Sequence, residues 1–249
     1  MTQVTRLFGF NITRKPVKQV VLEAIAHQNI SVVNTINPHS YIETKGDQEF
    51  RQALSESDVL IPDGSGICLA SKLLNKVDLK KIAGADLFVE TMNQLNIVSG
   101  SVFFLGSSEN VLNLIKQRAA FDYPNVKLYA LSPPYKESFS DTDLACFIES
   151  INKSSSDVLF VGLTAPKQEK LIHQIRSKVD VRMVSGIGAV FDFYAGTVVR
   201  PHPLWVKLHL EWFVRLIGEP KRLWRRNFVS TPLFLLEILV VKLGIKNFD

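Results

Sequence analysis

Cysteine is scarce in this sequence, which has two in 249 residues, Cys68 and Cys146. Two thiols so far apart build neither a disulfide framework nor a cysteine-based zinc site, and their spacing excludes Cys-x-x-Cys redox chemistry. A reducing compartment fits. The N-terminus lacks a charged start followed by a long apolar run, so no signal peptide is read and the cytosol is the expected location. Repeats and low-complexity segments are absent. The five histidines are scattered, and no His, Cys and carboxylate cluster has metal-ligand spacing. What is present is a packed globular composition, 46% hydrophobic and 21% charged. The length allows one domain or two small ones, at roughly 100–200 residues per domain.

Charge is unevenly placed. Over residues 1–199, 20 Lys and Arg balance 20 Asp and Glu, whereas residues 200–249 carry 9 against 4. The whole net charge of +5 therefore sits in the last fifth of the chain. A neutral body with a basic, apolar tail points to an anionic surface such as a membrane. Nucleic acid is not the expected partner, because its binders spread basic residues over a reading face.

Short β-rich runs alternate with helical patterns along the body. Strands are predicted at Leu7–Ile12, Ser31–Thr35, Val59–Ile61, Ser101–Leu105, Val126–Leu131, Val158–Gly162 and Val181–Ser185. Helices are predicted at Pro16–His27, Gln48–Ser55, Gly66–Leu74, Ala85–Leu95, Glu109–Ala119, Asp141–Lys153 and Lys167–Ser177. Several strands are nearly continuous apolar runs, as strands covered on both faces are. The expected fold is α/β, a Rossmann-like parallel sheet with helices on both faces, over residues 1–199. In such folds ligands sit beyond the carboxyl ends of the strands. Those ends carry small and polar residues here: Asn34 to Pro38, Pro62 to Gly64, Gly106 to Ser108, Gly162 to Glu169 and Gly186 to Gly188. Each precedes a helix start, where free N–H groups and the positive dipole end favour phosphate.

Residues 200–249 read as a helical appendage. Pro201 and Pro203 break the pattern before Leu204–Ile217, the basic stretch Lys221 to Arg226 and the apolar run Phe228–Ile245. Thr231 suits an N-cap, with Pro232 at the first helical position. A helix over Pro232–Ile245 has 14 residues. At about 1.5 Å per residue it falls short of a hydrocarbon core roughly 30 Å thick. Glu237 and Lys242 also argue against a span. The helix is expected to lie on a membrane or dock on protein, and a second copy of the chain is left open as that protein.

An ordered set of short motifs runs from Thr35 to Arg226. It comprises Thr35-Ile36-Asn37, Pro62-Asp63-Gly64, Gly84-Ala85-Asp86, Phe104-Leu105-Gly106, Ala165-Pro166-Lys167-Gln168-Glu169, Phe191-Asp192 with Ala195-Gly196, and Leu210-Glu211-Trp212 with Arg215 and Glu219-Pro220. In that order they resemble the bacterial WecG/TagA/CpsF glycosyltransferases. The resemblance implies an inverting transfer of a hexose-type sugar, N-acetylmannosamine, its uronic acid or a related hexose, from a UDP-sugar without a required metal. It implies a polyprenyl-diphosphate-linked sugar as acceptor, at the inner face of the cell membrane, in teichoic acid or exopolysaccharide synthesis. Two departures fall near the donor site: Thr164 replaces a glycine, and Arg200-Pro201-His202-Pro203 replaces Arg-Ala-Pro.

Sugar transfer needs a base for the acceptor hydroxyl, and the resemblance carries Asp63 into that role. Pro-Asp-Gly is also a common turn signal. Thr35 and Asn37 are candidates for sugar hydroxyls or a phosphate oxygen, although Asn37-Pro38 also starts a turn and helix. Pro166 and Glu169 are explained by the first turn of a helix, Pro166 at its first position and Glu169 by the dipole. Gln168 both donates and accepts, and the resemblance puts a glutamine in the site at this position; Lys167 faces either phosphate or solvent. Gly106, Gly186 and Gly188 let backbone approach a pyrophosphate. Arg215, Arg222 and Arg225 are the tail's candidates for a leaving or lipid-borne diphosphate, with plain membrane electrostatics as the other reading.

Two tempting motifs are set aside. Asp141-Thr142-Asp143 resembles a metal-binding acidic pair but opens an amphipathic helix, where acidic residues are expected anyway. Gly186-Ile187-Gly188 has Phe191 where a dinucleotide fingerprint has its third glycine, so an NAD-dependent oxidoreductase is disfavoured. A non-enzymatic membrane protein of polysaccharide assembly fits the tail but leaves the polar strand ends without a purpose.

Overall fold

The computed structural model describes residues 3–198 and 220–245, the isolated positions 205, 216 and 218, and not the side chains of residues 221 and 222. The region predicted as a helix over Leu204–Ile217 therefore lies almost wholly outside the described residues, as does Arg215.

Eight strands form one sheet among the described residues, in the order β1-β2-β4-β3-β8-β7-β5-β6. They are β1 (Val4–Leu7), β2 (Phe10–Thr13), β3 (Ser31–Ile36), β4 (Val59–Pro62), β5 (Ser101–Gly106), β6 (Lys127–Leu131), β7 (Val158–Gly162) and β8 (Met183–Gly186). Every pairing is parallel except β1 with β2. The predicted single strand Leu7–Ile12 is instead a hairpin. Phe8 (φ 52°) and Gly9 (φ 81°) make the turn, the pair of left-handed residues that a two-residue hairpin needs. Gly9 takes that conformation freely, whereas a left-handed phenylalanine leaves no signal in a sequence.

The helices are α1 (Val17–Ala26), α2 (Pro38–Glu43), α3 (Gln48–Ser55), α4 (Ser65–Ala70), α5 (Gly84–Val98), α6 (Glu109–Asp122), α7 (Asp141–Ser154), α8 (Lys167–Ile175) and α9 (Val190–Ala195), then α10 (Pro220–Arg225) and α11 (Thr231–Lys242) in the tail. Their starts are chemically marked. Asp47 caps α3, Ser108 caps α6, and Ser140 with Asp143 forms a capping box on α7.

Strand alternation sorts the core onto two faces. Val33, Phe104, Phe160 and Met183 point to one face and meet Val21, Phe88, Ile115 and Phe191 from α1, α5, α6 and α9. Phe103, Leu159, Val161 and Val184 point to the other and meet Phe147, Leu171 and Ile175 from α7 and α8. A third cluster joins Phe10, Leu60, Phe50 and Ile67 to Phe234 and Ile238 of α11.

The tail's helix therefore shares a core with the β1–β2–β4 edge. Thr231 does not cap it. The chain is already helical from Pro220, and a π-helical turn over Arg226–Ser230 runs straight into α11. Pro232 has no N–H to offer the preceding turn, and a widened turn there accommodates it. Thr231 instead donates its hydroxyl to the Arg226 carbonyl, at 2.9 Å.

Phe234 is fully buried. Replacing it with alanine should cost about 3–5 kcal/mol, as for other core aromatics. Denaturant unfolding with the m-value held constant measures this. A loss under about 1 kcal/mol would mean that α11 is not part of the folded core.

Candidate functional site

The strand order brings five chain segments to one edge of the sheet. β4, β3, β8, β7 and β5 are consecutive neighbours and parallel, so their carboxyl ends lie side by side. Asp63, Asn37, Gly186 to Gly188, Gly162 to Gln168 and Gly106 all follow these ends directly. The candidates that the sequence spreads over about 150 residues thus share one edge of the sheet, where α/β folds bind their ligands.

Asp63 follows Pro62, and its N–H donates to the Ile36 carbonyl of the neighbouring strand at 2.9 Å. It is half-buried, and Gly64 (φ 88°) then turns the chain into α4. Thr35 is half-buried and pairs with Ile61 one step back from that end. Asn37 is engaged as the cap of α2, its Oδ1 accepting from the N–H groups of His39 and Ser40 at 3.0 Å each. That oxygen carries the structural duty read as the alternative for Asn-Pro, and the amide NH2 is the group of Asn37 left to meet a ligand.

The strongest convergence is at Gln168. Its Oε1 accepts from the Gly188 N–H at 3.0 Å and its Nε2 donates to Glu169 Oε1 at 2.9 Å. It also lies across Gly186, where a Cβ would come within 2.8 Å of the amide carbon. Gln168, Gly186 and Gly188 are therefore one unit. Gly106 (φ 121°) is packed against β7, and a Cβ on it would meet the Gly162 carbonyl oxygen at 2.7 Å. Gly162 in turn accommodates the Phe191 ring, which would sit 2.2 Å from an added Cβ. The residue at the third fingerprint position is thus core packing beneath the site.

Lys167 turns away from this unit. Its ammonium lies 3.9 Å from the centre of the Phe139 ring and bonds the Lys136 carbonyl. Burial there lowers its pKa. Pro166 occupies the cap of α8 and Lys167 is the first helical residue, one position later than expected for the proline. Asp143 is committed to the α7 cap and to Lys136, which together hold its carboxyl at a pKa of about 2. Asp86 likewise caps α5, accepting from the Ala83 N–H at 2.9 Å. In the tail, Arg225 pairs with Glu43 of α2 at 3.3 Å, whereas the side chain of Arg222 lies outside the described residues.

Sequence reading missed the state of Glu169. A first-turn glutamate is ordinarily solvated, but this one is buried and its Oε2 has no hydrogen-bond partner among the described residues. Desolvation pushes its pKa up to about 7, against the acceptance of the Gln168 N–H. The signal available was its place between Gln168 and the apolar Leu171 and Ile172, both buried. Asn34 and Ser185, in the adjacent strands β3 and β8, are buried polar residues of the same region, and Asn34 donates to Ser57 Oγ at 3.0 Å.

Comparison with known proteins adds a family. A profile described as "Glycosyl transferase WecG/TagA/CpsF family" matches residues 5–247. A relative from Bacillus subtilis (strain 168), named N-acetylglucosaminyldiphosphoundecaprenol N-acetyl-beta-D-mannosaminyltransferase, is 32% identical over 218 residues, 88% of this chain and 82% of its own. Relatives of the same name from Bacillus spizizenii and Staphylococcus aureus (strain MW2) are 31% and 25% identical. They cover 82% and 88% of this chain, and 77% and 83% of their own lengths.

The raised pKa of Glu169 has a signed consequence. The native state holds this proton to higher pH than the unfolded chain, whose carboxyl titrates near the ordinary 4.5. The stability contributed by the neutral acid is complete below that value and is lost as pH rises to about 7. The difference is on the order of 3 kcal/mol. Unfolding free energies of wild type and Glu169→Gln, measured from about pH 4 to about pH 8, should diverge by that amount in favour of the variant. Parallel curves would show that the carboxylate is accommodated without strain.

Proposed function

The chain belongs to the WecG/TagA/CpsF family of glycosyltransferases, and from that premise we propose that it transfers an N-acetylmannosamine-type sugar from a UDP donor to a sugar on a polyprenyl diphosphate. The observation that carries this reading is Asp63 at the head of a row of five parallel strand ends. The acceptor and sugar classes follow the names of the relatives. In the proposed reaction Asp63 takes the proton from the acceptor hydroxyl as its oxygen bonds to the anomeric carbon. The bond from that carbon to the diphosphate oxygen breaks, UDP leaves with the electron pair, and the centre inverts. Gln168, with Gly186, Gly188 and Gly106, forms the donor side of the crevice. Arg225, with Arg215 and Arg222, meets diphosphate charge from the tail, so the reading includes no metal.

The second part of the reading concerns where the reaction occurs. Among the described residues no helix is long and apolar enough to cross a membrane. α11 is apolar apart from Thr231, Glu237 and Lys242, and of its residues Phe234, Glu237 and Ile238 are buried. Leu233, Leu236, Leu239 and Leu243 are exposed on the opposite side, with Trp224 and Phe228 before them. Such a patch beside Arg225, Arg226 and Lys242 suits the interface of an anionic bilayer. The protein is then a peripheral enzyme of the inner membrane face, with residues 200–249 as its appendage. The buried Glu237 sets which side faces out, because it accepts from the Tyr41 hydroxyl at 2.9 Å and pairs with Lys45.

Asp63→Asn should lower acceptor-dependent UDP release by about 10²–10⁴-fold while UDP affinity stays within a few fold. Near-normal turnover in the folded variant would remove Asp63 from the chemistry. The double variant Leu236→Asp, Leu239→Asp should keep the unfolding midpoint and lose at least about tenfold in binding to phosphatidylglycerol vesicles, since each buried leucine contributes roughly 1.5–3 kcal/mol. Unchanged vesicle binding would refute the membrane face. A wild-type dimer that these changes dissociate, without vesicle binding in either protein, would assign the face to a second copy.

A further inference from the structure

Gln168 is a symmetric-looking amide whose two ends have opposite chemistry, and a site that uses it must fix which end faces the ligand. Two neighbours do so here. The Gly188 N–H can only donate, so it requires the amide oxygen, and this contact is 3.0 Å. A carboxylate oxygen of Glu169 accepts, so it takes the amide nitrogen, and this contact is 2.9 Å. Gly186 supplies the floor, because any Cβ there would displace the amide. With the oxygen held by the backbone and one N–H held by Glu169, the other N–H of Gln168 has no partner among the described residues.

We propose that Glu169 is a positioning residue that locks the Gln168 amide so that it presents a single N–H donor to an oxygen of the bound sugar nucleotide. The proposal rests on the reading that Gln168 belongs to the donor site, and it deepens that reading. Gln168 and Glu169 are both buried, 5% and 4% exposed, and the side-chain partner of Glu169 among the described residues is the Gln168 amide, so Glu169 acts through Gln168. Its carboxyl shares a helix turn with the amide, at adjacent positions of α8 and immediately beyond β7. A shorter acid would withdraw the acceptor, whereas an amide of equal length would keep one. Reach, not charge, is therefore the property the site uses.

That distinction defines the test. Glu169→Asp keeps the charge and loses the reach; Glu169→Gln loses the charge and keeps the reach. Each is made in the wild-type and in the Gln168→Ala background, and the apparent affinity for UDP and the acceptor-dependent kcat/KM are measured, with thermal unfolding as the control. Glu169→Asp should lower kcat/KM by about tenfold to a hundredfold, the scale of a displaced positioning group. Glu169→Gln should keep most of the activity. In the Gln168→Ala background neither change should matter further, because coupled residues do not add. If Glu169→Asp causes the same loss with and without Gln168, Glu169 is structural and the proposal fails. If Glu169→Gln is the inactive one, the charge is used and the proposal also fails. If Gln168→Ala alone retains wild-type UDP affinity and turnover, Gln168 leaves the donor site and the proposal goes with it. That last outcome is separate from a failure of Glu169 alone, which leaves the Gln168→Ala defect in place.

Discussion

The constraint on which the site depends is the absence of side chains where three parallel strands end. Gly106 and Gly162 are register partners, and Gly186 pairs with Val161 on the next strand. Each position excludes a Cβ for a different reason: a facing carbonyl, an aromatic ring, and the Gln168 amide. The result is a floor made of backbone, beneath which Phe191 fills the core and above which Gln168 lies flat. A Cβ added at these positions would need movement of backbone or of tightly packed groups, which close-packed interiors resist. The shape of these strand ends is therefore specified by the packing beneath them as much as by the polar groups beside them.

Two carboxyl groups carry the proposed roles at this end of the sheet, and they differ in burial. Asp63 sits half-buried in a turn at the end of β4. Glu169 is enclosed by α8 and the sheet, where desolvation favours its neutral form. A group that must hold another side chain still gains from enclosure, because a hydrogen bond in a low-dielectric setting competes with little water. The division follows from where the chain places each acid and not from the acids themselves.

Much of this was legible in the sequence, for reasons that differ by element. The apolar β-branched and aromatic runs of β3, β5 and β7 read as strands because burial on both faces leaves no alternation to confuse. Their parallel arrangement followed from the intervening helices. Strand order did not, since nothing local in Ser31–Ile36 says that Met183–Gly186 is its neighbour. The Phe8–Gly9 hairpin was hidden by a left-handed phenylalanine, whereas the start of α2 was legible in Asn37-Pro38, a cap followed by proline at the first helical position. Among the candidate site residues, Asp63, Gln168 and the glycines were proposed from strand-end position and the family resemblance. Lys167 was placed at the crevice by its neighbours in sequence, but a lysine's long stem lets it reach Phe139 instead. Glu169 was read as a helix-dipole acid because a sequence reports residue type and not burial.

The tail is joined to the site through α2 more than through its own charge. Asn37 caps the start of α2, and Tyr41, Glu43 and Lys45 along and after it bind Glu237 and Arg225. His39, from the first turn, meets Ser230 at 2.8 Å. On the neighbouring helix, Gly66 has Pro38 and Phe234 closely packed around it, two residues after Gly64 turns the chain away from Asp63. The side of α11 opposite its apolar exposed face is thus in contact with the two short helices that begin at Asn37 and just beyond Asp63. Polar links of this kind fix orientation more than they add stability, because desolvating Glu237 offsets much of what Lys45 and Tyr41 return. Phe234 and Ile238 hold α11 by packing, and Glu237 adds a directional link on the same side. These contacts tie the orientation of α11, and with it the proposed membrane face, to the two short helices that follow β3 and β4.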